Sequence, residues 1–117
     1  MKLYELINAS NNVMPALVTQ KLSGGTAIKL ALNSRLIQQQ VEVFEKTRLE
    51  FAKRYGEDQG DGSFHIVSMV EFNAAITEMV ETEVEVNFHL LSAQDIEQLS
   101  ISSFEMSSIL WMIQDVV

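Results

Sequence analysis

Four large apolar residues, Leu30, Ile37, Phe44 and Phe51, recur at intervals of seven in a stretch, Thr26 to Tyr55, that contains neither glycine nor proline. Val41 and Tyr55 stand one turn beyond Ile37 and Phe51, so the spacing predicts one continuous helix from about Ala27 to Tyr55 with a single apolar seam. At about 1.5 Å per residue this rod is about 43 Å long. A compact chain of 117 residues has a radius of gyration of only about 13 to 14 Å. Part of the seam therefore needs a partner: the N-terminal segment folded back as a hairpin, or a second copy of the chain packed on Leu30, Ile37, Phe44 and Phe51.

The segment before the rod also reads as helical. Leu3, Leu6, Ile7, Val13, Met14, Leu17 and Val18 fall at helical spacing, with a kink or split expected around Asn11-Asn12 and Pro15. Ser23-Gly24-Gly25-Thr26 is the turn between the two helices. A second break, Gly56 to Gly62, holds three glycines and three acids and stops the rod.

Beyond it the pattern mixes strand and helix. Phe64 to Val67 alternates like a short strand. Ser68 with Glu71 predicts a capping box opening a helix to about Val80, with Met69, Phe72, Ile76 and Met79 on its inner face. From Glu81 the period changes to two: Glu81, Glu83, Glu85, Asn87 and His89 on one side, Val84, Val86, Phe88 and Leu90 on the other. This predicts a half-buried strand whose natural partner is Phe64–Val67. Ser92 begins a short turn or helix to Leu99, and Ser102 with Glu105 caps a last helix, Ser103 to Gln114, apolar nearly all round and followed by Val116-Val117. The expected fold class is thus α+β, predominantly helical. It is a single domain over 1–117: a helical hairpin (1–55), then an acidic α+β part (56–117) with a small antiparallel β element and a C-terminal helix.

Charge divides along the same line. All eight Lys and Arg residues lie in the first 54 positions, against four acids, net +4; the remainder holds twelve acids and no Lys or Arg, net −12. Such a surplus of carboxylates argues against a nucleic-acid binder, which needs clustered basic residues to meet phosphates. No run approaches the length of a membrane-spanning helix and the first residues have no signal-peptide core, so a soluble protein of a cytoplasm is expected. Cysteine is absent, which removes disulfides, thiolate metal sites and cysteine nucleophiles.

Few residues carry chemistry. With Gly62 at the sixth position of a calcium loop, the twelfth is Ser68, so the bidentate Glu is missing and Asp58 to Gly62 reads as a turn. Gly24-Gly25-Thr26 lacks the Lys-Ser/Thr ending of a P-loop. His65 and His89, with Glu83 or Glu85 beside the latter, form an acid–base or metal constellation only if their strands pair. No serine stands in a nucleophile-elbow pattern. No cofactor and no catalytic residue are expected. The candidate partner-binding residues are Glu81, Glu83, Glu85, His89 and Trp111, a row of carboxylates and a large aromatic on an otherwise apolar terminal segment.

Phe44 to Glu57 at the end of the long helix, the Asp-Gly turn, Val70-Glu71-Phe72-Asn73 leading into Glu83-Val84-Glu85-Val86, and Trp111-Met112-Ile113 together resemble a group of small acidic phage and prophage proteins of unknown function. The likeness covers about residues 30–113 and departs from the group at Met14-Pro15 and Gln38-Gln39-Gln40. It implies a phage origin and thus the host bacterial cytoplasm or a virion, and transfers no functional residue. Two functions are expected on these grounds. One is a non-enzymatic, acidic inhibitor or sequestering protein that binds a host factor or defence system. The other is a minor virion or assembly component working through homo-oligomeric helix packing.

Overall fold

A computed structural model describes residues 1–114; Val116 and Val117, which follow the last helix expected from the sequence, lie outside the described residues. Helices α1 (Leu3–Asn12) and α2 (Met14–Val18) are separated at Val13, and Pro15 sits in the first turn of α2, where its missing amide is harmless. The rod is α3 (Gly24–Tyr55), 32 residues long. Then come β1 (Gly56–Asp58), β2 (Phe64–Ile66), α4 (Met69–Val80), α5 (Ala93–Glu97), α6 (Ser103–Ser107) and a 3-10 turn, Leu110–Met112. The fold class is α+β and predominantly helical, as the patterning predicts.

The seam is covered by its own chain. Helices α1 and α2 fold back on α3 and bury Leu30, Ile37 and Phe44 against Leu3, Leu6, Ala9, Val13, Met14 and Leu17. Leu91, Ile109 and Met112 complete this core, each with no exposed surface. These three seam residues are therefore spent inside the protomer and are not presented to a second copy. Phe51 differs: it is half-buried, its ring 6.4 Å from that of Tyr55 with the Arg54 guanidinium 5.4 Å above it.

The expected pairing of Phe64–Val67 with the Glu81–Leu90 segment is not what forms. β2 pairs with β1 instead, antiparallel, with Glu57 opposite His65. The hairpin closes over five residues, where Gly60 and Gly62 take φ of +83° and +88° that side chains other than glycine rarely adopt. Closing so short a loop sacrifices less chain entropy than reaching across α4. Gly56 is needed for another reason, since a Cβ there would lie 2.7 Å from the carbonyl oxygens of both Ala52 and His65.

Two other local expectations are corrected. Ser68 precedes α4 but makes no side-chain cap, because its ψ of 72° swings it out of the usual geometry. Its amide and that of Val67 donate to the Tyr55 carbonyl (3.0 and 2.9 Å), satisfying an orphan acceptor at the end of α3. The last helix is also broken. Ser102 and Glu105 form the capping box, but α6 ends at Ser107, where the Ser107 and Ser108 hydroxyls both donate to the Phe104 carbonyl. Ile109 leaves the helical region, and the break turns Ile109 and Met112 into the core while Ile113 extends to bridge Leu91.

Candidate functional site

From Glu83 to His89 the Glu81–Leu91 segment keeps its period of two without belonging to a sheet; Leu90, expected on the inner side, is 45% exposed instead, because the chain turns there to bury Leu91. Glu81, Glu83, Glu85, Asn87 and His89 are exposed, whereas Val84, Val86 and Phe88 are half-buried and pack on the core. Each end is pinned by a single bridge. Near the start, the Val84 amide donates to the Met1 carbonyl and the Leu3 amide to the Thr82 carbonyl, with Lys2 opposite Glu83. At the finish, the Leu91 amide donates to the Met112 carbonyl and the Gln114 amide to the Leu91 carbonyl, both 2.8 Å.

Between these pins the chain is held by a side chain. Asn33, fully buried on α3, donates from Nδ2 to the His89 carbonyl (2.9 Å) and accepts from the His89 amide (2.8 Å). Its amide thus does what a neighbouring strand would do, for one residue only. The amides of Glu85, Val86 and Asn87 and the carbonyls of Glu85 and Asn87 make no hydrogen bond among the described residues. The middle of the segment is consequently an open backbone edge, with no sheet beside it.

The structure brings Trp111 to this edge. Its ring centroid lies 4.7 Å from that of Phe88 at 46°, and the pair floors a shallow cleft with Val84, Glu85 and Val86 on its walls. Trp111 is half-buried and also reaches a second depression beside Glu5 and Asn8. The three glutamates are not equivalent. Lys2 Nζ lies 3.8 Å from Glu81 and 3.5 Å from Glu83, and the Met1 ammonium is 3.0 Å from Glu83. The hydrogen bond and charge of that ammonium, with Lys2 behind them, hold the Glu83 carboxyl below its usual pKa. Glu85 makes no such pair among the described residues and remains the carboxylate that faces the cleft.

His89 and His65 are not brought together. His89 is fixed opposite Asn33, His65 lies on β2 beyond the far end of α3, and about 33 Å of helix rise separates the two positions. Among the described residues no three histidine or carboxylate side chains converge as a metal site.

Sequence reasoning missed a second polar constellation beside the first. Asp95, in the first turn of α5 and 7% exposed, accepts from Lys29 Nζ (2.6 Å), from the Thr26 hydroxyl and from the Ser92 amide and hydroxyl (2.8 and 3.0 Å). Gln98 Nε2 donates to the Thr26 oxygen, and Gln98 Oε1 accepts from the Ser23 amide at the start of α3. Lys29, then Thr26 and the Ser92 amide, hold the Asp95 carboxyl well below the ordinary carboxylate range. The signal for Thr26 and Asn33 was present: both stand on the apolar seam of α3, at helical spacing from Leu30 and Ile37. A polar side chain on a buried face needs a buried partner.

No family model matches the chain, and no curated protein or solved structure shows significant similarity to it. Among the described residues no helix is long and apolar enough to cross a membrane.

Proposed function

We propose that this chain is a non-enzymatic binding protein that receives a partner protein along the open edge of residues 84–89. One observation carries the reading: a segment pinned at both ends, whose Glu85, Val86 and Asn87 amides and Glu85 and Asn87 carbonyls have no partner among the described residues, the Val86 carbonyl accepting from the Phe88 amide (3.2 Å), and whose flank is the Phe88–Trp111 cleft. Edges of this kind accept an added strand, whose main-chain bonds supply affinity while side-chain clefts supply selection. Glu85, with Glu81 and Glu83 beyond it, favours a partner segment carrying Lys or Arg.

In the phage setting implied by the sequence resemblance, the partner is a host factor or a component of a defence system, which the protein inhibits or sequesters. The second reading, a minor virion or assembly component, draws support from the exposed apolar surface of α4, where Val70 is 80% exposed. Tagged wild-type protein and a Glu81→Gln, Glu83→Gln, Glu85→Gln variant, each incubated with lysate of infected bacteria at several salt concentrations, test the first reading by mass spectrometry. It requires a host protein that the wild type retains and the variant loses, with weaker salt dependence in the variant. Equal retention by both removes the acidic edge from the binding surface. Recovery of phage structural proteins alone, together with presence in purified particles, selects the assembly role.

A further inference from the structure

The molecule divides into a packed end and a bare one. From Glu45 to Leu90 no residue is fully buried; Met79 and Val80 at the end of α4, with Val84, Val86 and Phe88, still pack on the core, so the last part of α3, the β1–β2 hairpin and the first two turns of α4 form the bare arm. Helix α4 contradicts its own sequence most sharply. Only Glu71 and Glu78 among its twelve residues are charged and eight are apolar, a composition that belongs in an interior, yet none of the twelve is buried. Phe72 and Ile76 turn toward α3 and are half-covered; Met69 and Val70 are 52% and 80% exposed, and Ala74 lies one turn beyond Val70 on the open side. Leu49 (46%) and Val67 (58%) add to the same arm, around a cleft of about 320 Å³ that Leu49, Ala52, Phe64, Ile66 and Phe72 line.

The uncovered area can be sized. The chain exposes 7540 Å², whereas a compact monomer of 13.2 kDa exposes about 6,400 Å², an excess of about 1,100 Å². The radius of gyration shows the same departure, 17.1 Å against about 13.4 Å expected for this length. That excess is spread over the whole chain, Phe104 (78% exposed) and Ile28 (61%) outside the arm included, and it leaves room for the roughly 800 Å² that each partner contributes to a stable interface.

Charge indicates what covers it. The α3 part of the arm carries Lys46, Arg48, Lys53 and Arg54 against Glu45 and Glu50, a net +2, and the hairpin and α4 carry Glu57, Asp58, Asp61, Glu71 and Glu78 and no Lys or Arg. Among the described residues no ion pair joins these two sets; the arm's only pair is Arg48–Glu45, within α3. A surface bearing both signs on adjacent elements is complementary to itself about a two-fold axis in the register that lays the acidic α4 of one copy beside the basic stretch of α3 in the other. We propose that the arm is the interface of a symmetric dimer, in which α4 of one protomer packs on α4 and the cleft of a second copy. The seam residues Leu30, Ile37 and Phe44 take no part in this dimer, and it does not depend on the open edge of residues 84–89.

The test uses the full chain, sedimentation equilibrium across a wide concentration range, and the absence of cysteine. Wild type is expected to sediment at twice its chain mass. Val70→Asp is expected to be monomeric, with unchanged helicity by circular dichroism because the side chain it replaces is exposed. Ala74→Cys, oxidised, is expected to yield a covalent dimer far faster than Ile28→Cys, whose exposed position lies in the first turns of α3 outside the arm. A wild type that stays monomeric at every concentration overturns the proposal. So does a dimer that survives Val70→Asp, or equal cross-linking at positions 74 and 28.

Discussion

Replacing Asp95 by alanine strikes a charged group that ties the last third of the chain to the first turns of α3. Thr26 is 1% exposed and loses its charged acceptor, keeping only the Gln98 amide; a charge-assisted bond in such a setting contributes about 1.5–3 kcal/mol. The Ser92 amide loses its partner in the capping box at the head of α5, a further loss of about 1 kcal/mol. Lys29 is 36% exposed and water replaces its partner, so that ion pair adds only about 0.5 kcal/mol. Together these place Asp95→Ala about 3–4.5 kcal/mol below wild type, a large share of the roughly 5–15 kcal/mol that holds a small domain. Urea unfolding followed by far-ultraviolet circular dichroism measures it. A Thr26→Val cycle with Asp95→Ala should give a coupling of about 1–2 kcal/mol. The pH dependence has a definite sign. Because the folded carboxyl titrates below its unfolded value, its contribution is complete above about pH 3.9 and is lost as the pH falls from there toward the folded value. Asp95→Asn should therefore flatten the acid limb of the stability profile as well as lower its plateau. A penalty for Asp95→Ala below about 1 kcal/mol, or an acid limb unchanged in Asp95→Asn, would refute the role assigned to this network.

Two further outcomes follow from the same geometry. Asn33→Leu removes both bonds to the His89 backbone, and should lower stability by about 2–3 kcal/mol and speed amide exchange at His89 more than at Leu91, which keeps its bond to Met112; equal acceleration at both amides would mean the segment is held elsewhere. Gly56→Ala should lose about 1–3 kcal/mol through its approach to the Ala52 and His65 carbonyls, whereas Gly24→Ala, with open space around it, should be neutral or gain up to about 1 kcal/mol; thermal unfolding of the pair decides it.

Much of what depended on neighbours along the chain was legible in the order of the amino acids, the break of the last helix after Ser107 excepted. The seven-residue spacing from Leu30 to Phe51 encoded α3, Pro15 and the paired asparagines marked the split near Val13, and the Ser-x-x-Glu pattern at Ser102 marked a true helix start. The period of two from Glu83 to His89 likewise survived as alternating exposure. Of the residues expected to meet a partner, Glu85 and Trp111 do share one edge, while His89 is held there by its backbone. Choice of partner was decided by tertiary structure. A pattern of alternation states which side of a segment is buried but carries no information about what lies beside its edge, and here a glycine-shaped hairpin claimed β2 first. The Ser68 motif failed for a similar reason, its backbone already engaged with Tyr55. Thr26, Asn33 and Asp95 acquire their roles only when positions 56 to 69 residues apart meet, and the seam turned inward because α1 and α2, folded back on α3, are long enough to cover Leu30 through Phe44 and no further.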